Sequence, residues 1–96
     1  MKNPEEEKAF YERLQEQLDD TTKFPSIYLY KFIVPSTGGK VEQVISFFDN
    51  SGAVVNTKTS SKGNFTSVSI EVTMESSQAV VDKYKAVSVV EGVISL

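Results

Sequence analysis

Between Phe65 and Met74 the chain alternates without a break: Thr66, Val68, Ile70, Val72 and Met74 fall on one side of an extended backbone, and Phe65, Ser67, Ser69, Glu71 and Thr73 on the other. Period-two patterning of this length specifies a β-strand with one face in a core and the other largely wet. Immediately before it, Ser60-Ser61-Lys62-Gly63-Asn64 carries a Gly-centred turn signal. The strand is therefore the second arm of a hairpin whose first arm runs from about Ala53 to Thr59. Such a chain has to build a sheet and then cover at least one side of it.

The remaining segments supply the cover. Asn3, Pro4 and Glu5-Glu6-Glu7 form a helix start: an N-cap acceptor, proline in the first turn, and carboxylates facing the positive end of the helix dipole. The helix is expected to reach about Leu18, with a narrow apolar stripe of Phe10, Leu14 and Leu18 and Tyr11 beside it. Ile27 to Val34, rich in β-branched and aromatic residues, reads as a central strand. After the loop Pro35-Ser36-Thr37-Gly38-Gly39, the residues Val41, Val44, Ile45 and Phe48 follow helical spacing, and Asn50-Ser51-Gly52 ends that helix. Ser76 or Ser77 caps a further helix bearing Val80, Val81, Tyr84 and Val87, and Gly92 precedes a last short strand, Val93 to Leu96.

Beyond the leading helix the order is strand, helix, strand, strand, helix, strand. That order predicts an α+β fold of the ferredoxin-like split βαβ type, an antiparallel sheet ordered 4-1-3-2 with two helices on one face. Residues 1–23 are expected to form an amphipathic helix and linker, and 24–96 the domain proper.

Composition narrows the function. The 96 residues contain no cysteine, so disulfides, zinc-thiolate sites and thiol catalysis are excluded, and no histidine, the side chain that most often serves as general base near neutral pH. Ten basic residues against thirteen acidic ones give a net charge of -3, and the basic residues are scattered, against the concentrated basic face that nucleic acid requires. The acidic beginning of the chain lacks the apolar core of a secretory signal, and no apolar run approaches a membrane span. A cytoplasmic protein is expected, and Asn64-Phe65-Thr66 is read as an accidental glycosylation match.

Phe24-Pro25, Tyr30-Lys31, the run Ser60 to Ile70, Tyr84 and Gly92-Val93 resemble the YbeD-like family of small bacterial proteins of unknown function, over about Phe24 to Leu96. The Ser-Ser-Lys-Gly-Asn-aromatic motif followed by Ser-Val-Ser-Ile carries most of the likeness. The resemblance implies a ferredoxin-like fold similar to the ACT domains that regulate amino-acid metabolism. Where the family's first strand ends in Gly, this chain has Val34 followed by Pro35, which weakens transfer of the ACT ligand site to the loop after that strand.

Three groups of residues are candidates for function. Ser60, Ser61, Lys62, Gly63 and Asn64 gather hydroxyl, amide and ammonium groups at a hairpin tip, suited to an anionic ligand or a protein partner, although the same residues also serve the turn. Gly38, Gly39 and Lys40 open a helix, where backbone N–H groups receive an anion in some proteins; a flexible turn is the plainer reading. Both faces of the first strand carry apolar residues; if its aromatic set faces the helices, Ile27, Leu29, Lys31 and Ile33 lie on the open face of the sheet, which then requires a cover. The Phe10, Leu14, Leu18 stripe is the nearest cover within the chain, and a second subunit is the other.

The acidic runs Glu5-Glu6-Glu7 and Asp19-Asp20 read as dipole complement and solvated helix end, so no metal and no cofactor is expected. Tyr, Lys and Ser are the only candidate nucleophiles, and none has an evident base beside it. The expectation is a non-enzymatic regulatory or protein-interaction module, with an ACT-like small-metabolite sensor as the alternative.

Overall fold

A computed structural model of the chain describes residues 4–96; the expected N-cap, Asn3, lies outside them. Helix α1 spans Pro4–Thr21, with Glu5, Glu6 and Glu7 in its first turn. Strand β1 follows at Ser26–Pro35, helix α2 at Lys40–Ser46, strand β2 at Val54–Thr59, strand β3 at Phe65–Met74, helix α3 at Ser77–Val87 and strand β4 at Ile94–Ser95. The fold is α+β, with the four strands in one antiparallel sheet ordered β2-β3-β1-β4. Read from the other edge, the order is β4-β1-β3-β2.

Local chemistry explains the boundaries. Ser76 is extended and its hydroxyl accepts from the Ala79 N–H at 3.0 Å, the side-chain cap that starts α3. Helix α2 stops at Ser46, two residues before Phe48, because the chain tightens into turns that pass through Asn50 at φ 61° and Gly52 at φ 74°. Phe48 nevertheless reaches the core from this turn. Helix α1 runs three residues past the expected Leu18, to Thr21, whose hydroxyl donates back to the Gln17 carbonyl at 2.7 Å.

The core lies between one face of the sheet and the helices. Tyr30, Phe32 and Val34 of β1 and Val68, Ile70, Val72 and Met74 of β3 are buried against Val44, Phe48, Val80, Tyr84 and Val87. Its centre is aromatic: the Tyr30 ring lies 4.9 Å from Tyr84 and 5.1 Å from Phe48, centroid to centroid. The buried hydroxyls are paired, since Tyr30 donates to the Val80 carbonyl at 3.2 Å and the Tyr28 and Tyr84 hydroxyls share a bond of 2.9 Å.

Of the two covers weighed for the open side of the sheet, one, the leading helix, does not lie there. Helix α1 packs on α3, within the helix layer. Leu18 is buried there, Asp19 Oδ1 accepts from the Ser77 hydroxyl at 2.5 Å, and the Lys85 ammonium sits 5.4 Å from the centre of the Tyr11 ring. The physical reason is that α3 offers α1 more than apolar surface: a hydroxyl for a carboxylate, at a helix N-terminus where negative charge is favoured, and a cation for an aromatic face. The other side of the sheet stays bare.

Candidate functional site

The register of the sheet places the side chains of its bare face. Leu29 stands opposite Glu71 and Glu71 opposite Val54; Lys31 pairs with Ser69, Ile33 with Ser67 on one side and with Ile94 on the other, and Pro35 with Phe65. Leu96, two positions beyond Ile94, shares that face by alternation, and its N–H donates to the Lys31 carbonyl at 2.9 Å. Among the described residues, six of the eight large apolar side chains that are exposed belong to this one face: Ile27, Leu29, Val54, Phe65, Ile94 and Leu96, between 48% and 69% exposed. Single exposed apolar residues are ordinary, but the gathering of six on one face of a sheet is not.

At the hairpin end this face deepens into a groove of about 390 Å³. Ile33 and Phe65 form its floor, and Lys58, Thr59, Ser60, Ser61 and Ser67 its polar rim. The structure therefore joins two groups of residues that the sequence separates, the hairpin tip and the sheet face. The turn that builds the groove closes through the Ser60 N–H donating to the Phe65 carbonyl at 2.7 Å and the Gly63 N–H donating to the Ser60 carbonyl at 2.9 Å. Gly63 has φ 77°, a region that side-chain-bearing residues rarely adopt. The Ser60 hydroxyl is consumed by the turn, accepting from the Phe65 N–H at 3.2 Å, and the Ser67 hydroxyl donates to the Lys58 carbonyl at 3.3 Å. Neither the Ser61 hydroxyl nor the ammonium groups of Lys31, Lys58 and Lys62 have a hydrogen-bond or ion-pair partner among the described residues.

The second candidate, Gly38-Gly39-Lys40, is arranged otherwise. Gly38 and Gly39 both have positive φ and lead into a helix of only seven residues. The Lys40 ammonium is 3.7 Å from Glu91 Oε2, so the charge proposed for an anion is already faced by a carboxylate. This loop and the hairpin groove share no lining residue.

A larger groove, about 440 Å³, runs between α1 and α3, with Glu7, Lys8, Glu12 and Lys85 on its walls and Tyr11 within it. Its charges are of both signs, and Lys8 and Glu12 approach each other to 4.0 Å. Burial, with a smaller contribution from Glu7, raises the Tyr11 hydroxyl above the usual tyrosine range. Burial also pushes Tyr30 and Tyr84 well above that range; Tyr28 adds to both, through the charge it would carry and, at Tyr84, through their hydrogen bond. These hydroxyls stay protonated at neutral pH. No helix of the described residues is long and apolar enough to cross a membrane, and no group of three or more potential metal-ligating side chains gathers among them.

What the fold and its bare face define is a small α+β domain whose helices all lie on one side of its sheet. Residues 19–96 match the profile of DUF493, a family of proteins of unknown function, and the chain belongs to that family, of which the YbeD-like proteins are a group. The match begins within the last turn of α1, so most of that helix lies outside it. No curated protein and no solved structure gives a significant match.

Proposed function

We propose that this protein is a non-enzymatic regulatory or protein-interaction module that works in the cytoplasm through the open face of its sheet. Its architecture is the ferredoxin-like split βαβ sandwich with an added leading helix; the strand order and the two helices after β1 and β3 support that assignment. The observation that carries the functional reading is the gathering of six of eight exposed large apolar side chains on one face. A surface of this kind loses free energy to water unless a partner covers it. The lack of cysteine fits a reducing compartment.

Enzymatic alternatives draw little support. The Tyr84 hydroxyl is protonated and engaged in a core hydrogen bond, and the Ser77 hydroxyl, which donates to the Asp19 carboxylate, is buried where α1 meets α3, out of reach of a substrate. An ACT-like metabolite sensor would use the loop of Gly38 to Lys40, where Glu91 already faces the ammonium group.

Photo-crosslinking in the source cells tests the proposal. A photoreactive amino acid placed at Leu29 on the open face should yield discrete protein adducts, while the same group at Val89, even more exposed but outside the sheet, should yield none. Identical adduct patterns from the two positions, or no adduct from Leu29, would refute the assignment.

A further inference from the structure

The open face is apolar but not neutral, and its charge says what kind of partner it fits. Lys31 lies beside Ser69 at the head of the groove, Lys58 lines the groove, and Lys62 stands at the tip of the turn that closes it. None of the three is ion-paired among the described residues, and no carboxylate lines the groove; Glu71, the one acidic side chain of this face of β1 and β3, lies at the far end, opposite Leu29 and Val54. Of the other described basic residues, Lys8 is engaged with Glu12, Lys40 with Glu91, Lys83 with the Phe47 carbonyl at 2.7 Å and Lys85 with the Tyr11 ring, while Arg13 on α1 and Lys23 after it stand apart from one another and outside this groove. A chain of net charge -3 thus keeps unneutralised ammonium groups around one groove with an apolar floor.

We infer that the groove at the hairpin end recognises an acidic segment of a protein partner, with one apolar side chain seated on Ile33 and Phe65 and flanking carboxylates met by Lys31, Lys58 and Lys62. This rests on the proposed role of the open face and adds the chemistry of what it binds. Apolar contact supplies the non-directional attraction, and the lysines select sign and register. The free Ser61 hydroxyl adds a donor at the rim. A second copy of the chain fits less well, because face-to-face pairing would bring four ammonium groups of Lys31 and Lys58 together with only two carboxylates of Glu71.

The test uses two capped pentapeptides as probes, one with a central leucine flanked by glutamates and one with the same leucine flanked by lysines. Each is titrated into the full-length protein labelled with nitrogen-15. The glutamate peptide should shift the amides of Ile33, Lys58, Phe65 and Ser67, and the shifts should fade at about 0.5 M salt, where charges more than a few ångströms apart are screened. The lysine peptide should leave them in place. The double variant K31E/K58E, both positions exposed, should keep the native spectrum and weaken the glutamate peptide by about tenfold or more.

Equal shifts from both peptides, or shifts from the glutamate peptide elsewhere in the molecule, would overturn the inference. If the groove responds only to the lysine peptide, or to neither peptide while Leu29 still crosslinks in cells, the acidic partner is excluded and the open-face reading stands. Should the protein alone sediment at twice its mass, with open-face amides moving on dilution, a second copy is the occupant and the inference fails.

Discussion

The two faces of β1 are made by neighbouring residues of one strand and have opposite fates. Tyr28, Tyr30, Phe32 and Val34 point into a packed layer where rings stack and hydroxyls are paired; Ile27, Leu29, Lys31 and Ile33 point out to an uncovered surface. Both sets are mostly apolar, so hydrophobicity alone does not tell them apart. The difference is in the side-chain type. The covered face uses large rings whose polar tips find partners across 50 residues or more of sequence, as Tyr30 does with Val80 and Tyr28 with Tyr84. The uncovered face uses branched aliphatics broken by a lysine, and its neighbours on β3 are serines, a threonine and a glutamate. It is a surface that tolerates water while remaining ready to lose it.

The contrast is broken most severely by cutting into the covered face. Phe32→Ala, at a site with no solvent exposure, should lower unfolding free energy by about 3 to 5 kcal/mol, whereas Leu29→Ala on the other face should change it by less than about 0.5 kcal/mol. Urea denaturation of the two variants measures the difference, and comparable losses would mean that the open face is already covered in solution.

Alkali probes the same contrast through its tyrosines. Tyr30 and Tyr84 hold their protons more tightly folded than unfolded, above the ordinary value of 10.0, so the unfolded chain ionises first. Their contribution is fully present below about pH 10 and is lost as pH rises beyond it, at up to about 1.4 kcal/mol per pH unit for each tyrosine. Tyr84→Phe should lessen that slope and Leu29→Ala should not, as followed by denaturation at stepped alkaline pH. A slope unchanged by Tyr84→Phe would assign the alkaline loss to other groups.

The smallest effect is expected at the rim. Nothing lies within 4 Å of a Cβ built on Gly63, so Gly63→Ala should cost only the strain of a positive φ, about 1 kcal/mol. Thermal denaturation of this variant, set beside the nitrogen-15 spectrum of its core, separates strain at the tip from damage to the packed layer. A loss as large as that of Phe32→Ala would show that the tip and the core unfold as one through more than the turn.

Much of this was legible before any coordinates. Alternation along β3 places its core residues on their proper side, because a period of two admits only two assignments and the buried set is unmistakable in Val68, Ile70 and Val72. On β1, apolar on both faces, alternation separates the aromatic set from Ile27, Leu29 and Ile33 but does not say which of the two is covered. The positive φ at Gly63 follows from the short span of the hairpin. The seat of α1 was not legible. A stripe of Phe10, Leu14 and Leu18 says that some surface is met, but the partners that decide which one, Ser77 for Asp19 and Lys85 for Tyr11, lie more than fifty residues away and carry no local signal. The groove was half legible: its tip stood out by composition, while its floor needed the register that sets Pro35 against Phe65 and Ile33 against Ser67.

The placement of α1 behind the sheet also gives the molecule an electrical front and back. Glu5, Glu6, Glu7, Glu12, Glu16, Asp19 and Asp20, seven of the thirteen acidic residues, ride on that one helix. They stand on the side away from Lys31, Lys58 and Lys62, so the chain carries a dipole across its thickness. An acidic body diffusing nearby is pushed from the rear and drawn to the front, and it is turned before the first atoms meet. The helix that fails to shield the sheet thereby serves as a weathervane for it.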